Sequence, residues 1–158
     1  MEAVEAVYVA PSSLAVHTSV GSRSSLDLLQ FLVNQNLLQT VQAGGALRFT
    51  MLETVRQYAL ERLEESGQER EIRTRHARFF LALAEAAEPE IQWAIAPIRF
   101  NRLETELDNL RGALAWAMED AAGCTGVALR LAGALGWFWE SSARHSEGRA
   151  WLASALAR

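Results

Sequence analysis

The sequence predicts a mainly α protein interrupted by one β-hairpin, and three observations carry that reading. Apolar residues recur at helical spacing through most of the 158 residues, as in Leu28, Leu29, Leu32 and Val33, or Leu103, Leu107, Leu110 and Leu114. Leu37-Leu38-Gln39-Thr40-Val41 and Leu47-Arg48-Phe49 instead read as two short strands around Gln42-Ala43-Gly44-Gly45, a hairpin whose glycines suit positive φ. Helical spacing then resumes at once with Leu52, Val55, Tyr58, Ala59 and Leu63. Thr50 and Glu53 stand at T-x-x-E spacing, so a capping box is expected to start this helix directly after the second strand. A helix, a hairpin and a helix joined this sharply follow the order of the end of a winged helix.

Taken in order, residues 1–23 are expected to form a helix remnant and loop. Val4, Val7 and Tyr8 lie on one side of the helix, and Pro11 and a small, polar run follow. A partial winged helix is expected over 24–67. Ser24 or Ser25 caps a helix that runs to Leu38 and buries Leu28, Leu29, Leu32, Val33 and Leu37. Ser66-Gly67 is the stop signal, and Ser66 with Glu69 forms a second capping box. Stacked helices occupy 68–158. The first presents Ile72, His76, Phe79, Phe80, Leu83 and Ala87 and ends before Pro89. A linker around Pro97 leads to one long helix from Phe100 to Ala117, stopped by Gly123. Thr125 caps a helix from Val127 to Trp139, and a last helix begins near Ser146. Gly112, Gly133, Gly136 and Gly148 beside Trp and Leu suggest close antiparallel pairing of the tetratricopeptide (TPR) kind.

From about Leu26 onward the chain resembles the winged-helix and following helical region of bacterial STAND-class signalling ATPases. These are NB-ARC-like regulators grouped with LuxR-type and SARP-type transcription factors. The matching blocks are Leu26–Leu38, Phe49–Ala59, Arg75–Phe80, Leu103–Arg111 and Glu147–Leu152. The resemblance implies a mainly α fold, a partial winged helix with a two-stranded wing followed by TPR-like helical hairpins that open a longer array. It implies a non-catalytic regulatory role, in which the winged helix docks on a nucleotide-binding module and the array receives a signal. ATP or ADP is then expected only on that module, upstream of this chain. The first winged-helix segment also belongs upstream, so the chain is expected to be an excerpt with apolar surface exposed near Leu28, Leu29 and Leu32.

Composition fits a soluble cytoplasmic protein. Half the residues are hydrophobic and mean hydropathy is +0.01. No run approaches the ~18 apolar residues of a membrane span, and Glu2 and Glu5 stand where a signal peptide needs basic residues. Every basic residue is Arg, most simply a coding bias. The net charge of -4 supplies no global attraction to nucleic acid. A chain without Lys cannot contain the G-x-x-x-x-G-K-[ST] phosphate loop. The lone Cys124 and the scattered His17, His76 and His145 offer no metal-ligand spacing. No enzyme is expected, and Glu104, Glu106 and Asp108 read as solvated charge.

Three sets of residues remain as candidate contacts. Met51, Leu52 and Glu53 stand where many NB-ARC proteins carry Met-His-Asp, so the resemblance makes them contacts to the nucleotide module. Leu52 cannot donate a hydrogen bond to phosphate as His would. Trp137, Trp139 and Trp151 are a candidate partner surface. Trp137 and Trp139 point about 200° apart on a helix, so they cannot both face one core. The alternative function is a DNA-binding winged helix, in which Asn34, Gln35 and Asn36 read base edges and Arg48 anchors phosphate. The alternating charges of Arg70, Arg73, Arg75 and Arg78 with Glu69 and Glu71 read as a salt-bridged face.

Overall fold

A computed structural model of the chain describes residues 25–43, 46–92, 97–119 and 125–157. The expected helix over 1–10, the glycines of the hairpin tip, His17, Gly123 and Cys124 lie outside these. The molecule is mainly helical with one two-stranded antiparallel hairpin. It divides into two compact units, 1–72 and 73–158, whereas the sequence boundary falls at Gly67.

The first unit contains α1 (Ser25–Asn34), β1 (Gln39–Ala43), β2 (Ala46–Thr50) and α2 (Glu53–Glu65). α1 stops earlier than its apolar pattern predicts. Asn36 adopts a φ of 56°, a left-handed conformation Asn tolerates. The amides of Leu37 and Leu38 turn back to the Leu32 carbonyl at 3.0 and 3.3 Å. That turn buries Leu38 and leaves Leu37 exposed, the reverse of the expectation for a continuing helix. In the hairpin Thr40 pairs with Phe49 and Gln42 with Leu47. Side chains alternate along a strand, so these four share one face, and Val41 and Arg48 share the other.

The expected Thr50–Glu53 capping box does not form. Thr50 remains in β2, paired with Gln39, and Leu52 is the N-cap of α2 without a side-chain capping bond. Glu53 is thus the first helical residue, too early to reach back as a capping box requires. It accepts a hydrogen bond from Arg56 instead, at 2.8 Å. No residue of α2 is buried. Its end follows the expected stop: Gly67 has a φ of 71°, and its amide returns to the Glu64 carbonyl. The Ser66 hydroxyl donates to the Leu63 carbonyl and accepts from the Gln68 amide, at 2.6 and 3.2 Å. Ser66 therefore finishes α2 rather than capping α3, whose first residue is Glu69.

The second unit comprises α3 (Glu69–Gln92) from Arg73 onward, α4 (Pro97–Thr105), α5 (Leu107–Glu119), α6 (Thr125–Ala134), α7 (Gly136–Ser141) and α8 (His145–Leu156). α3 runs through Pro89 instead of ending before it. Burial of Ala87 and Ile91 on both sides of the proline keeps this last turn packed despite the missing amide donor. Pro97 opens α4 at the position where proline's lost amide matters least. The long helix expected from Phe100 to Ala117 is broken at Glu106, whose amide is shared between the carbonyls of Arg102 and Leu103 at 3.0 and 3.2 Å. Its apolar stripe survives the break, with Leu103, Leu107, Leu110, Leu114 and Ala117 all buried. Thr125 is the first residue of α6 rather than a cap before it, and Leu135 separates α6 from α7 where one helix was expected.

Phe80, Leu103, Leu110, Leu114, Leu131, Leu135, Phe138 and Trp139 form the fully buried centre of this unit. The Phe138 ring lies 5.4 Å from Phe100 and 5.2 Å from Trp139, within the range of favourable aromatic pairing. α8 packs on α6 and α7. Of the glycines expected to allow close pairing, Gly148 does so: a Cβ there would lie 2.7 Å from the Trp139 Cβ. Gly112, Gly133 and Gly136 face open space within 4 Å, so close approach is not what they provide.

Candidate interaction surfaces

Three of the four candidate DNA-reading residues lie at the C-terminal end of α1 and in the turn after it. Asn34, Gln35 and Asn36 are exposed there, and the Asn34 side-chain oxygen accepts a hydrogen bond from Gln30 at 2.9 Å. Arg48 is half-buried on β2, on the face that also carries Val41. From Ser25 to Leu38 the only charged residue is Asp27. Apolar exposure is greater than charge: Leu26, Phe31, Val41 and Leu47 are all exposed. The expected bare patch at Leu28, Leu29 and Leu32 is displaced, since Leu29 is buried and the other two are half-buried.

Between α1 and the inner hairpin face lies a cleft of about 180 Å³, lined by Leu26, Leu29, Gln30, Val33, Thr40, Leu47 and Phe49. Sequence reading missed it. Strand alternation alone places Thr40, Leu47 and Phe49 on one face, but only the tertiary arrangement sets α1 beside them.

At the junction, Met51 is half-buried and Leu52 and Glu53 are exposed. Glu53 is held by Arg56, whose hydrogen bond keeps the carboxyl below its usual range. α2 presents Leu52 and Tyr58 to solvent, with the Arg62 guanidinium 5.3 Å from the Tyr58 ring.

In the second unit the tryptophans separate as helix geometry requires. Trp139 is 2% exposed and Trp137 is 45% exposed. Trp139 is therefore core and not partner surface. Trp151 is half-buried against the core, its indole N–H 3.4 Å from a Glu147 oxygen. The carboxylates are not simply solvated. Glu104 accepts two hydrogen bonds from Arg144 at 2.5 and 3.0 Å, which ties α4 to the start of α8. Glu147 accepts two from Arg111 at 2.7 and 2.8 Å, which hold its pKa below the ordinary value. Arg130 grips Glu85 in the same forked manner, the geometry that suits Arg to carboxylates. Arg73 and Arg75 are half-buried, and the Arg73 guanidinium sits 5.2 Å from the Trp116 ring, so the expected surface charge ladder is partly packing. His76 lies against Phe80 with ring centroids 4.7 Å apart. Burial lowers its pKa, Arg73 lowers it further and Glu106 partly opposes. Among the described residues no group of three His, Cys, Asp or Glu could hold a metal ion, and no helix is long and apolar enough to cross a membrane.

The chain is similar to regulators of transcription. Proteins of Mycobacterium tuberculosis and Mycobacterium bovis, each named "Putative HTH-type transcriptional regulator", are 38% identical to it over 148 residues, or 91% of this chain. The chain spans only 16% of the length of these relatives. No family model and no solved structure matches it.

Proposed function

We propose that this chain is the regulatory, protein-binding portion of a transcriptional regulator. In this reading the first unit docks on another protein surface, and the second takes up a signal as a TPR-like array. One observation carries it: Ser25 to Leu38 contains no cation, while Leu26, Phe31, Leu47, Leu52 and Tyr58 stand exposed. Apolar exposure of this kind suits a protein contact, whereas phosphate binding depends on cations, and α1 with the turn after it supplies none. The resemblance to STAND-class regulators supplies the expected docking partner, a nucleotide-binding module reached through Met51, Leu52 and Glu53. ATP or ADP would belong to that module. The chain itself would catalyse nothing and would act in the cytoplasm.

The name of the relatives favours a second reading, direct DNA contact by Asn34, Gln35, Asn36 and Arg48. Fluorescence polarisation with labelled duplexes, titrated at low and physiological salt, decides between the two. The docking reading expects no sequence preference. Sequence-selective binding that falls steeply with salt and is weakened by Arg48→Ala would replace it.

A further inference from the structure

The solvent face of α6 and α7 carries an apolar strip with charges of opposite sign at its two ends. Leu135 divides the two helices, yet the amides of Leu135 and Trp139 still bond to carbonyls four residues back, at 3.1 and 2.9 Å. One helical face therefore continues across the division. At about 100° per residue, Leu129, Arg130, Gly133, Trp137 and Glu140 fall within an arc of roughly 100°. All five are exposed, Trp137 by 45% and Leu129 by 43%. Gly133 leaves open space on this face, since a Cβ there would meet no neighbouring group within 4 Å.

The spacing along the strip is palindromic. Arg130 comes three residues before Gly133 and Glu140 three residues after Trp137, so Leu135 is the midpoint of both pairs. We propose that this face pairs antiparallel with the same face of a second copy of the chain. A two-fold axis at the height of Leu135 sets the Trp137 of each copy over the Gly133 of the other, and Arg130 beside Glu140 of the other. The indole then fills the space above the glycine, with Leu129 one turn away beside it. Charge selects both the occupant and the register. A helix that fits needs an acid, a large apolar residue, a small residue and a base in this order, and the reversed face supplies them. Sliding the copy until Trp137 meets Gly126 puts Arg130 opposite Gly133 and loses the ion pairs. Both charged groups have room for a further partner. The Arg130 side chain keeps 63% exposure while it holds Glu85, and that of Glu140 keeps 69% beside His145. Two-fold symmetry makes each contact twice. One helix face falls short of the roughly 1,200 Å² that stable interfaces bury, so a weak pair is expected, with a Kd on the order of 10–100 μM.

Sedimentation equilibrium of the full chain, from about 5 to 500 μM so as to bracket that Kd, tests the proposal. A monomer–dimer equilibrium is expected. Trp137→Ala and Gly133→Leu each change an exposed position and should weaken the dimer at least about tenfold, with helical circular dichroism unchanged. Arg130→Glu and Glu140→Arg should each stay monomeric alone, because like charges then face each other across the axis. Mixed, they should dimerise, since each variant supplies the charge that the other lacks. A chain that is monomeric at the highest concentration, or a dimer that either Trp137→Ala or Gly133→Leu leaves unaltered, would overturn the proposal. Failure of the two charge variants to pair on mixing would do the same.

Discussion

Two residues of the helical unit carry sharp consequences for single substitutions. Gly148 is fixed by space and not by backbone angle: an added Cβ would approach the Trp139 Cβ, Cγ and Cδ1 to 2.7, 2.8 and 2.9 Å. The Cβ of Trp139 cannot move away by a rotamer change, so α7 and α8 must separate. Gly148→Ala should therefore destabilise the protein by about 1–3 kcal/mol, despite alanine's better helix propensity. Urea titration followed by tryptophan fluorescence measures it, and a stabilised variant would show that the helices are less tightly apposed. His76 makes a prediction in pH. Its folded pKa is lowered, first by burial and then by Arg73. The unfolded chain therefore takes up this proton first, and stability is lost as pH falls below the ordinary histidine value of 6.5. His76→Gln should flatten the stability profile just below that pH. An unchanged slope would mean that His76 is neutral or charged to the same degree in both states.

At the scale of elements, α3 departs most clearly from its sequence signal. Pro89 has no amide to donate to the Glu85 carbonyl, yet the helix continues to Gln92. If packing of Ala87 and Ile91 holds this turn, then Pro89→Ala restores a helical donor and should raise stability by about 1 kcal/mol or more. Thermal unfolding reads this directly, and a lowered midpoint would mean that the proline stiffens a segment whose freedom costs more. The same contrast shows what the amino-acid pattern reveals. The apolar stripe Leu103, Leu107, Leu110, Leu114 and Ala117 was legible, and every member is buried. The break within it at Glu106 was not, because a shared amide bond leaves the apolar spacing intact. The hairpin was legible from its strands and glycines, although β1 begins two residues later because Asn36 turns the chain. The capping boxes failed because motif spacing does not say which residue the strand keeps. Of the candidate surfaces, the divergence of Trp137 and Trp139 followed from helix geometry, but which of them points inward did not. The α1–hairpin cleft and the Arg111–Glu147 and Arg144–Glu104 pairs join residues distant in sequence, and local spacing carries no trace of them.

For the molecule as a whole, the two units differ in how much apolar surface they bury. The continuous core runs from Ala77 to Ala155, entirely within the second unit. Among the described residues the first unit buries only Leu29 and Leu38 among its hydrophobics, and α2 buries nothing. Burial at roughly 25 cal/mol per Å² dominates stability, so the first unit should open at lower denaturant than the second. The chain supplies a clean way to see this, because among the described residues every tryptophan, Trp116, Trp137, Trp139 and Trp151, lies in the second unit, and the sequence of the first unit contains none. Tryptophan fluorescence therefore reports that unit alone, while amide exchange at Val41 and Arg48 reports the hairpin. The expected outcome is loss of hairpin protection at urea concentrations where fluorescence is still native. Leu29→Ala should widen the gap, and Leu110→Ala should close it from the other side by weakening the core about 2–5 kcal/mol. Coincident transitions in the unmodified chain and in both variants would mean that the units unfold as one cooperative body. In that case the thin core of the first unit would be stabilised by coupling to its neighbour and not by its own packing.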